Sequence, residues 1–160
     1  LADYAPVNVQ TALKKMYPAA KDVAWSRDEI YYVADFIQNG FDTKVWFNSE
    51  AQWEMRQIDW ETMDEVPNAV YNAFAASEYS DGMVQGVTLV QFPKREAVVS
   101  VIVEWRIHRP GTNYCSPSTV DWRMNAMQPI SITCLARKSS YKSPLRHTAS
   151  ASPQTLPGSI

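Results

Sequence analysis

In the first 104 positions, hydrophobic residues with helical spacing are followed by hydrophobic residues with strand spacing, and this order occurs twice. Val9 and Leu13 belong to a run with helical spacing. Strand-like alternation follows in EIYYVADF, KVWF and QWEMRQID. Helical spacing returns in EVPNAVYNAFAASEY, where Pro67 is expected in the first turn, and strand spacing returns in VQGVTLVQF and EAVVSVIVE. We therefore predict an internal repeat, with one unit at about residues 6–60 and a truncated second unit at about residues 64–104.

The order of these elements predicts an α+β fold. Helices that precede hairpin-linked strands are typical of a single antiparallel sheet with the helices on one face. Asn39 and Gly40 separate the first two predicted strands, and both residue types tolerate the positive φ that tight hairpin turns need. The predicted architecture is thus a tandem helix-plus-hairpin repeat that forms one antiparallel sheet.

Residues 105–160 break this pattern, and we predict a tail that is disordered or non-native. After EAVVSVIVE the repeat requires a turn and another strand, but WRIHRPGTNYCSPS does not alternate. A slip of the coding frame would explain the break. If true codons begin at the third base of each printed codon, the pairs Asn113-Tyr114 and Tyr114-Cys115 each encode leucine, inside the missing strand. Without that strand, EAVVSVIVE is predicted to be an apolar sheet edge prone to pairing with other chains.

Charge divides the chain at the same place. Residues 1–104 hold eight basic and sixteen acidic side chains, a formal charge of −8, whereas residues 105–160 hold seven basic side chains and one Asp, a charge of +6. The tail arginines are scattered and lie behind an acidic segment, so we predict that the protein binds no nucleic acid. No run of about 18 apolar residues occurs, and we expect no membrane span.

Metal and cofactor chemistry finds little support in the residue pattern. The two Cys and two His lie in the tail, at separations that match no zinc-binding spacing. The acidic connector of Asp59, Glu61, Asp64 and Glu65 lacks the ligand spacing of a calcium loop. We expect no metal site, no cofactor and no catalytic group in the first 104 residues, and hence a non-enzymatic protein.

Three segments carry a family resemblance. In order, VNVQTALKKMYPAAKDVAW, YYVADFIQNGFDTKVWFNSEAQW and DEVPNAVYNAFAAS resemble the repeated unit of PepSY-like, β-lactamase-inhibitor-like proteins, which are mostly exported proteins of Bacteroides-type bacteria. The resemblance covers roughly residues 6–104. It implies tandem α/β units in one antiparallel sheet, no established enzyme activity, and a periplasmic or secreted protein. The start at LADYAP, without Met, predicts that an export signal has been removed.

One turn departs from the family pattern. The second hairpin turn of the family usually reads Phe-Asp-x-x-Gly-x-Trp, and Phe47 and Trp53 match it. Asn48 and Ala51 replace the Asp and the Gly. These substitutions argue against a carboxylate-dependent role of the turn, while Asn48 is still able to shape the turn itself.

Aromatic residues are the best candidates for a binding site. Strand parity puts Tyr31 and Trp46 on the face opposite Ala34 and Phe36, where we expect them to be exposed. Trp53 is the third candidate and is expected to share a face with Met55. Large rigid aromatic side chains on an open sheet anchor protein partners.

The sequence therefore favours a module that binds an unknown protein or peptide through the open sheet face. The alternative is a periplasmic sensor domain that responds to a small molecule or to calcium through its acidic surface.

Overall fold

The structure, a computed structural model, describes residues 5–105, 117–124, 129–134 and 141–144. These residues form two α-helices and one eight-stranded antiparallel sheet, in which the strands follow chain order. The bounds of these elements are α1 Val7–Met16, β1 Ala24–Asp28, β2 Tyr31–Gln38, β3 Phe41–Phe47, β4 Trp53–Asp59, α2 Asn68–Ala75, β5 Met83–Gln91, β6 Val98–Glu104, β7 Ser118–Arg123 and β8 Ser131–Cys134.

The predicted tandem repeat is confirmed, but the second repeat is not truncated at residue 104: each repeat is a helix followed by four strands. The first repeat comprises α1 and β1–β4, and the second comprises α2 and β5–β8. The sequence pattern missed β1, because most side chains of this outer strand face solvent and it has no apolar period.

Both helices begin directly after a proline. The Pro6 carbonyl accepts the N–H groups of Val9 and Gln10 at 3.0 Å, and the Pro67 carbonyl accepts the N–H of Tyr71 at 2.9 Å. Pro67 therefore caps α2 from outside, and the prediction that it lies in the first turn is wrong by one position. Each proline starts its helix with a fixed φ and without losing a hydrogen bond.

Both helices lie on one face of the sheet, as predicted. Phe36, Thr43 and Ile58 are cross-strand neighbours, and Leu89 continues the row into the second repeat. On this face α1 covers one buried cluster and α2 covers the other. The first cluster consists of Ala5, Val9, Leu13, Ala34, Phe36, Val45 and Phe47. The second consists of Val66, Val70, Phe74, Tyr79, Val87, Leu89, Val99, Val101, Val103, Val120 and Trp122.

The sheet continues beyond β6, so the prediction that EAVVSVIVE is an exposed edge is wrong. β7 pairs with β6 from Val98 to Val103, and β8 pairs with β7. Val120 and Trp122 have no exposed surface and pack beneath α2. Alternation in STVDWR is short, but it places two apolar side chains on the helix-covered face, which is sufficient for a buried strand. The tail therefore contributes to the core; the frame slip itself stays a prediction that the nucleotide sequence around codon 104 tests.

Candidate functional site

The face of the sheet opposite the helices carries a third apolar cluster. We call this surface the open face. Its buried members are Tyr31, Val33, Trp46, Met55, Val90 and Val98, and Phe92, Ile130 and Tyr141 pack against them. Strand parity therefore assigned Tyr31 and Trp46 to the correct face.

The expected exposure of these two aromatics is wrong. Tyr31 is 2% exposed and Trp46 is 5% exposed. The Trp46 indole N–H donates a hydrogen bond of 3.0 Å to a carboxylate oxygen of Asp28. Burial, and next the neighbouring Glu54 carboxylate, raise the pKa of Tyr31. Strand parity defines a face but not what packs on it, and the cluster to which both aromatics belong is packed by Phe92, Ile130 and Tyr141, far along the chain.

The prediction that Trp53 shares a face with Met55 is wrong. Trp53 lies on the face that the helices cover. Phe47 pairs with Trp53 while Trp46 pairs with Met55, so the β4 strand carries one extra residue at this point. Such a bulge reverses the side-chain direction within two positions. Trp53 is half-buried against the α1 cluster, whereas Met55 is fully buried on the open face.

The β3–β4 turn contains both departures from the family pattern, and its geometry shows what each position requires. The Asn48 side-chain oxygen accepts the N–H groups of Glu50 at 2.9 Å and Gln52 at 3.0 Å. An aspartate would accept the same two bonds, so Asn48 preserves the turn without the charge. Ala51 has a φ of 64°, in the left-handed region that favours glycine. The family glycine is thus explained by backbone geometry.

A concave cavity of 1030 Å³ lies on the open face. Its charged lining is mostly acidic, and Lys44 lies 3.8 Å from a carboxylate oxygen of Asp35. Two lysines face four carboxylates, which leaves an excess of negative charge. The lining residues are Asp35, Asp42, Lys44, Trp46, Gln57, Asp59, Glu61, Gln85, Gly86, Thr88, Ile102, Tyr141 and Lys142.

One wall of this cavity comes from the chain's own C-terminal part. The Gln57 side-chain amide donates a hydrogen bond to the Tyr141 carbonyl. The Tyr141 ring lies 5.6 Å from that of Phe92, centroid to centroid. Sequence reasoning missed Tyr141 and Lys142 because they lie in a segment without periodicity, and no local signal marks their contact with β4.

A second concavity surrounds Trp53 at one end of the sheet. This end groove has a volume of 750 Å³ and lies between the end of α1, the β3–β4 turn and the β5–β6 loop. It brings Trp53 close to residues of the second repeat, but it does not bring Trp53 together with Tyr31 and Trp46. Its lining residues are Ala12, Lys15, Met16, Ala51, Gln52, Trp53, Glu54, Phe92, Pro93, Lys94, Arg95 and Pro144.

Metal ligands do not cluster in the part of the chain that the structure describes. No group of three or more His, Cys, Asp or Glu side chains there is placed to hold a metal ion. Cys115, His108 and His147 lie outside the described residues. Neither described helix is long and apolar enough to cross a membrane.

These features define an α+β protein of two helix-and-four-strand repeats with an open, concave sheet face. The family profile described as "Putative beta-lactamase-inhibitor-like, PepSY-like" matches residues 30–109. The chain belongs to this PepSY-like family, and the resemblance found in the sequence is confirmed. No curated protein matches it significantly.

Solved structures of Bacteroides proteins are similar to this chain. A DUF2874 family protein from Bacteroides uniformis is 58% identical, with a TM-score of 0.71 over 81% of this chain and 88% of that one. A protein from Bacteroides ovatus, of the same DUF2874 description, is 34% identical, with a TM-score of 0.78 over 92% of this chain and 100% of that one. A BLIP-like protein from Bacteroides fragilis is 26% identical, with a TM-score of 0.71 over 90% of this chain and 94% of that one. The family description names an inhibitor-like module, and none of these relatives is described as an enzyme.

Proposed function

We propose that this protein is an exported, non-enzymatic module that binds a protein or peptide through the open face of its sheet. The cavity on that face carries the proposal. It has a volume of 1030 Å³, no helix covers it among the described residues, and its walls combine aromatic and charged side chains. Sheet faces with buried aromatic support and a polar rim are typical of protein-binding surfaces.

The charge of the cavity favours a basic partner segment. Asp42 and Glu61 are exposed at its rim, and Asp35 and Asp59 are half-buried. Lys44 already pairs with Asp35. A Lys- or Arg-bearing segment would complement the remaining carboxylates, which raises the association rate and excludes acidic competitors.

The relatives support export and a binding role. A structure from Bacteroides eggerthii, 52% identical over 81% of this chain, is described as a putative periplasmic protein. The description of the B. fragilis relative as BLIP-like supports a protein partner, but fold similarity alone does not transfer an inhibited enzyme. The alternative of a calcium-responsive sensor gains no support, because the described residues contain no cluster of three or more metal-binding side chains.

Site-specific photo-crosslinking tests the proposal. A photo-reactive amino acid replaces Gln85, an exposed residue of the cavity, and in a matched control replaces Asn72, which is exposed on α2. In a periplasmic extract of a Bacteroides species, we expect one discrete protein to be captured from position 85 and not from position 72. The double variant Asp42→Lys/Asp59→Lys should lower the yield about tenfold. Equal labelling from both positions, or a yield that the charge reversal leaves unchanged, would overturn the proposal.

A further inference from the structure

The end groove around Trp53 differs from the open face in both charge and position. Residues of both repeats line it, because α1 and the β3–β4 turn belong to the first repeat and the β5–β6 loop belongs to the second. Its lining includes the cations Lys15, Lys94 and Arg95 and a single carboxylate, that of Glu54. This excess of positive charge occurs in a segment of 104 residues whose formal charge is −8.

The floor of the groove is apolar and held in place. Trp53 is half-buried, and the Arg56 guanidinium lies 5.1 Å from its ring centroid. Arg56 in turn donates hydrogen bonds to the Gln91 side-chain oxygen at 2.7 Å and to the Tyr17 hydroxyl at 2.6 Å. A large aromatic surface that is already fixed loses little conformational entropy when a ligand binds.

The cations at the rim lack counter-charges. Within the described ranges, none of Lys15, Lys94 and Arg95 has a carboxylate oxygen within 4.0 Å. The Arg95 guanidinium carbon lies 3.9 Å from the Phe92 ring centroid, a cation–π contact that holds the guanidinium at the groove.

Glu54 supplies the one negative charge of the lining, and among the described residues it forms no ion pair with these cations. Its carboxylate accepts a hydrogen bond of 2.8 Å from the Asn48 side-chain amide and also interacts with the Tyr31 hydroxyl. The lone acidic side chain of the groove is thereby engaged by the turn and by the open-face cluster. Three cations against one carboxylate leave the lining with a net charge of +2, which favours an external anion.

We infer that the end groove is a second binding site, which takes an acidic peptide segment with an apolar anchor residue. Carboxylates of the segment pair with Lys94 and Arg95, and its anchor packs on Trp53 and Met16. A fixed aromatic floor inside a cationic rim matches this chemistry, because apolar contact supplies affinity while the charges orient the segment. The site differs from the open face, where the acidic lining favours the opposite charge.

Fluorescence anisotropy with defined peptides tests the inference. The probe is fluorescein-labelled Glu-Glu-Leu-Leu-Glu-Glu, and its Gln and Lys analogues are the comparison peptides. We expect the Glu peptide to bind, the two analogues to bind about tenfold more weakly or less, and the affinity to fall with added salt.

Two double variants with the same change of charge locate the site. Lys94→Glu/Arg95→Glu should weaken binding of the Glu peptide about tenfold. Lys21→Glu/Arg27→Glu, which alters exposed residues outside both the end groove and the open-face cavity, should change it less than about twofold. Trp53→Leu should weaken binding while leaving the preference for the Glu peptide over the Gln analogue intact. Equal losses in both double variants, or equal binding of the Glu and Gln peptides, would overturn the inference; circular dichroism confirms that each variant is folded.

Discussion

The two repeats share one architecture but differ in how their strands are joined. In the first repeat, Asn39 and Gly40 join β2 to β3 with φ values of 53° and 85°, and Asn48 organises the next turn with side-chain hydrogen bonds. In the second repeat, residues 92–97 separate β5 from β6, only one residue more than in the β3–β4 turn, whereas the thirteen residues 105–117 separate β6 from β7. Short turns fix strand register locally, whereas long connections leave it to side-chain packing. The register of β2, β3 and β4 is therefore specified by local turns, whereas the register of β7 against β6 depends on side-chain packing.

Buried tryptophans show the same contrast. Trp46 in β3 donates its indole N–H to Asp28, at the end of β1 in the same repeat. Trp122 in β7 is fully buried, and its indole N–H has no hydrogen-bond partner among the described residues. A buried donor without a partner costs free energy. Trp122 therefore fills part of the core of the second repeat, while its indole N–H has no hydrogen-bond partner among the described residues.

The largest expected effect is the loss of stability when a buried aromatic side chain is removed from either repeat. Phe47→Ala in β3 and Trp122→Ala in β7 each remove a fully buried aromatic side chain. We expect each change to lower the free energy of unfolding by about 3–5 kcal/mol, measured by urea denaturation. Arg123→Ala, at an exposed position of β7, should change it by less than about 0.5 kcal/mol. If Phe47→Ala destabilises the protein and Trp122→Ala does not, the tail adds nothing to the core.

A smaller effect separates the two tryptophans. Trp46→Phe loses packing volume and the bond to Asp28, so we expect a loss of about 2 kcal/mol in unfolding free energy. Trp122→Phe loses similar volume but removes an unsatisfied N–H, so the net change should be close to zero. Urea denaturation of the two variants side by side gives the comparison. Equal losses would show that Trp122 has a polar partner in the folded protein.

The β3–β4 turn should be improved by a single substitution. Ala51 has a φ of 64°, and the left-handed conformation costs a non-glycine residue about 1–2 kcal/mol. Ala51→Gly relieves this cost but adds backbone entropy to the unfolded chain, so we expect a net gain of about 0.5–1 kcal/mol. The thermal midpoint should rise accordingly. Ala51→Val is the control and should lower the midpoint, because a β-branched side chain fits this conformation poorly.

The smallest effect concerns alkaline pH. The pKa of Tyr31 is raised in the folded protein, chiefly by burial and then by Glu54. The folded state therefore holds this proton more tightly than the unfolded state. Its contribution to stability is complete below the usual tyrosine pKa of about 10 and is lost as pH rises through the higher folded value.

Tyr31→Phe isolates that contribution. We expect the variant to lose less unfolding free energy than the parent protein between pH 9 and pH 11, values that bracket the ordinary tyrosine pKa of about 10. Tyr32→Phe, on the neighbouring half-buried ring, is the matched control. Identical slopes for the parent and Tyr31→Phe would contradict the assignment.

Much of the fold was predictable because it depends on local rules. The apolar spacing of Val9 and Leu13 predicted α1, Asn39-Gly40 predicted a hairpin, and alternation predicted which face Tyr31 and Trp46 share. β1 and the buried strand β7 were missed. The first presents mostly solvent-facing residues, and the second shows only two apolar side chains between long connections.

The candidate sites were less predictable than the fold. The bulge that turns Trp53 toward α1 is a property of the β3–β4 pairing and not of either strand alone. Lys15 lies 79 positions before the adjacent residues Lys94 and Arg95 in the chain, and only the tertiary structure brings the three cations to one groove.

The amino-acid sequence by itself determined the repeat, the helices, most strands of the first repeat and the side to which each strand residue points. Those features follow from side-chain spacing and turn chemistry, which act over a few residues. Only the tertiary structure decided that Tyr31 and Trp46 are buried, that β7 completes the core, and that Trp53 belongs to a cationic groove. Burial and the convergence of charges depend on segments far apart in the chain, and no local pattern records which of them meet.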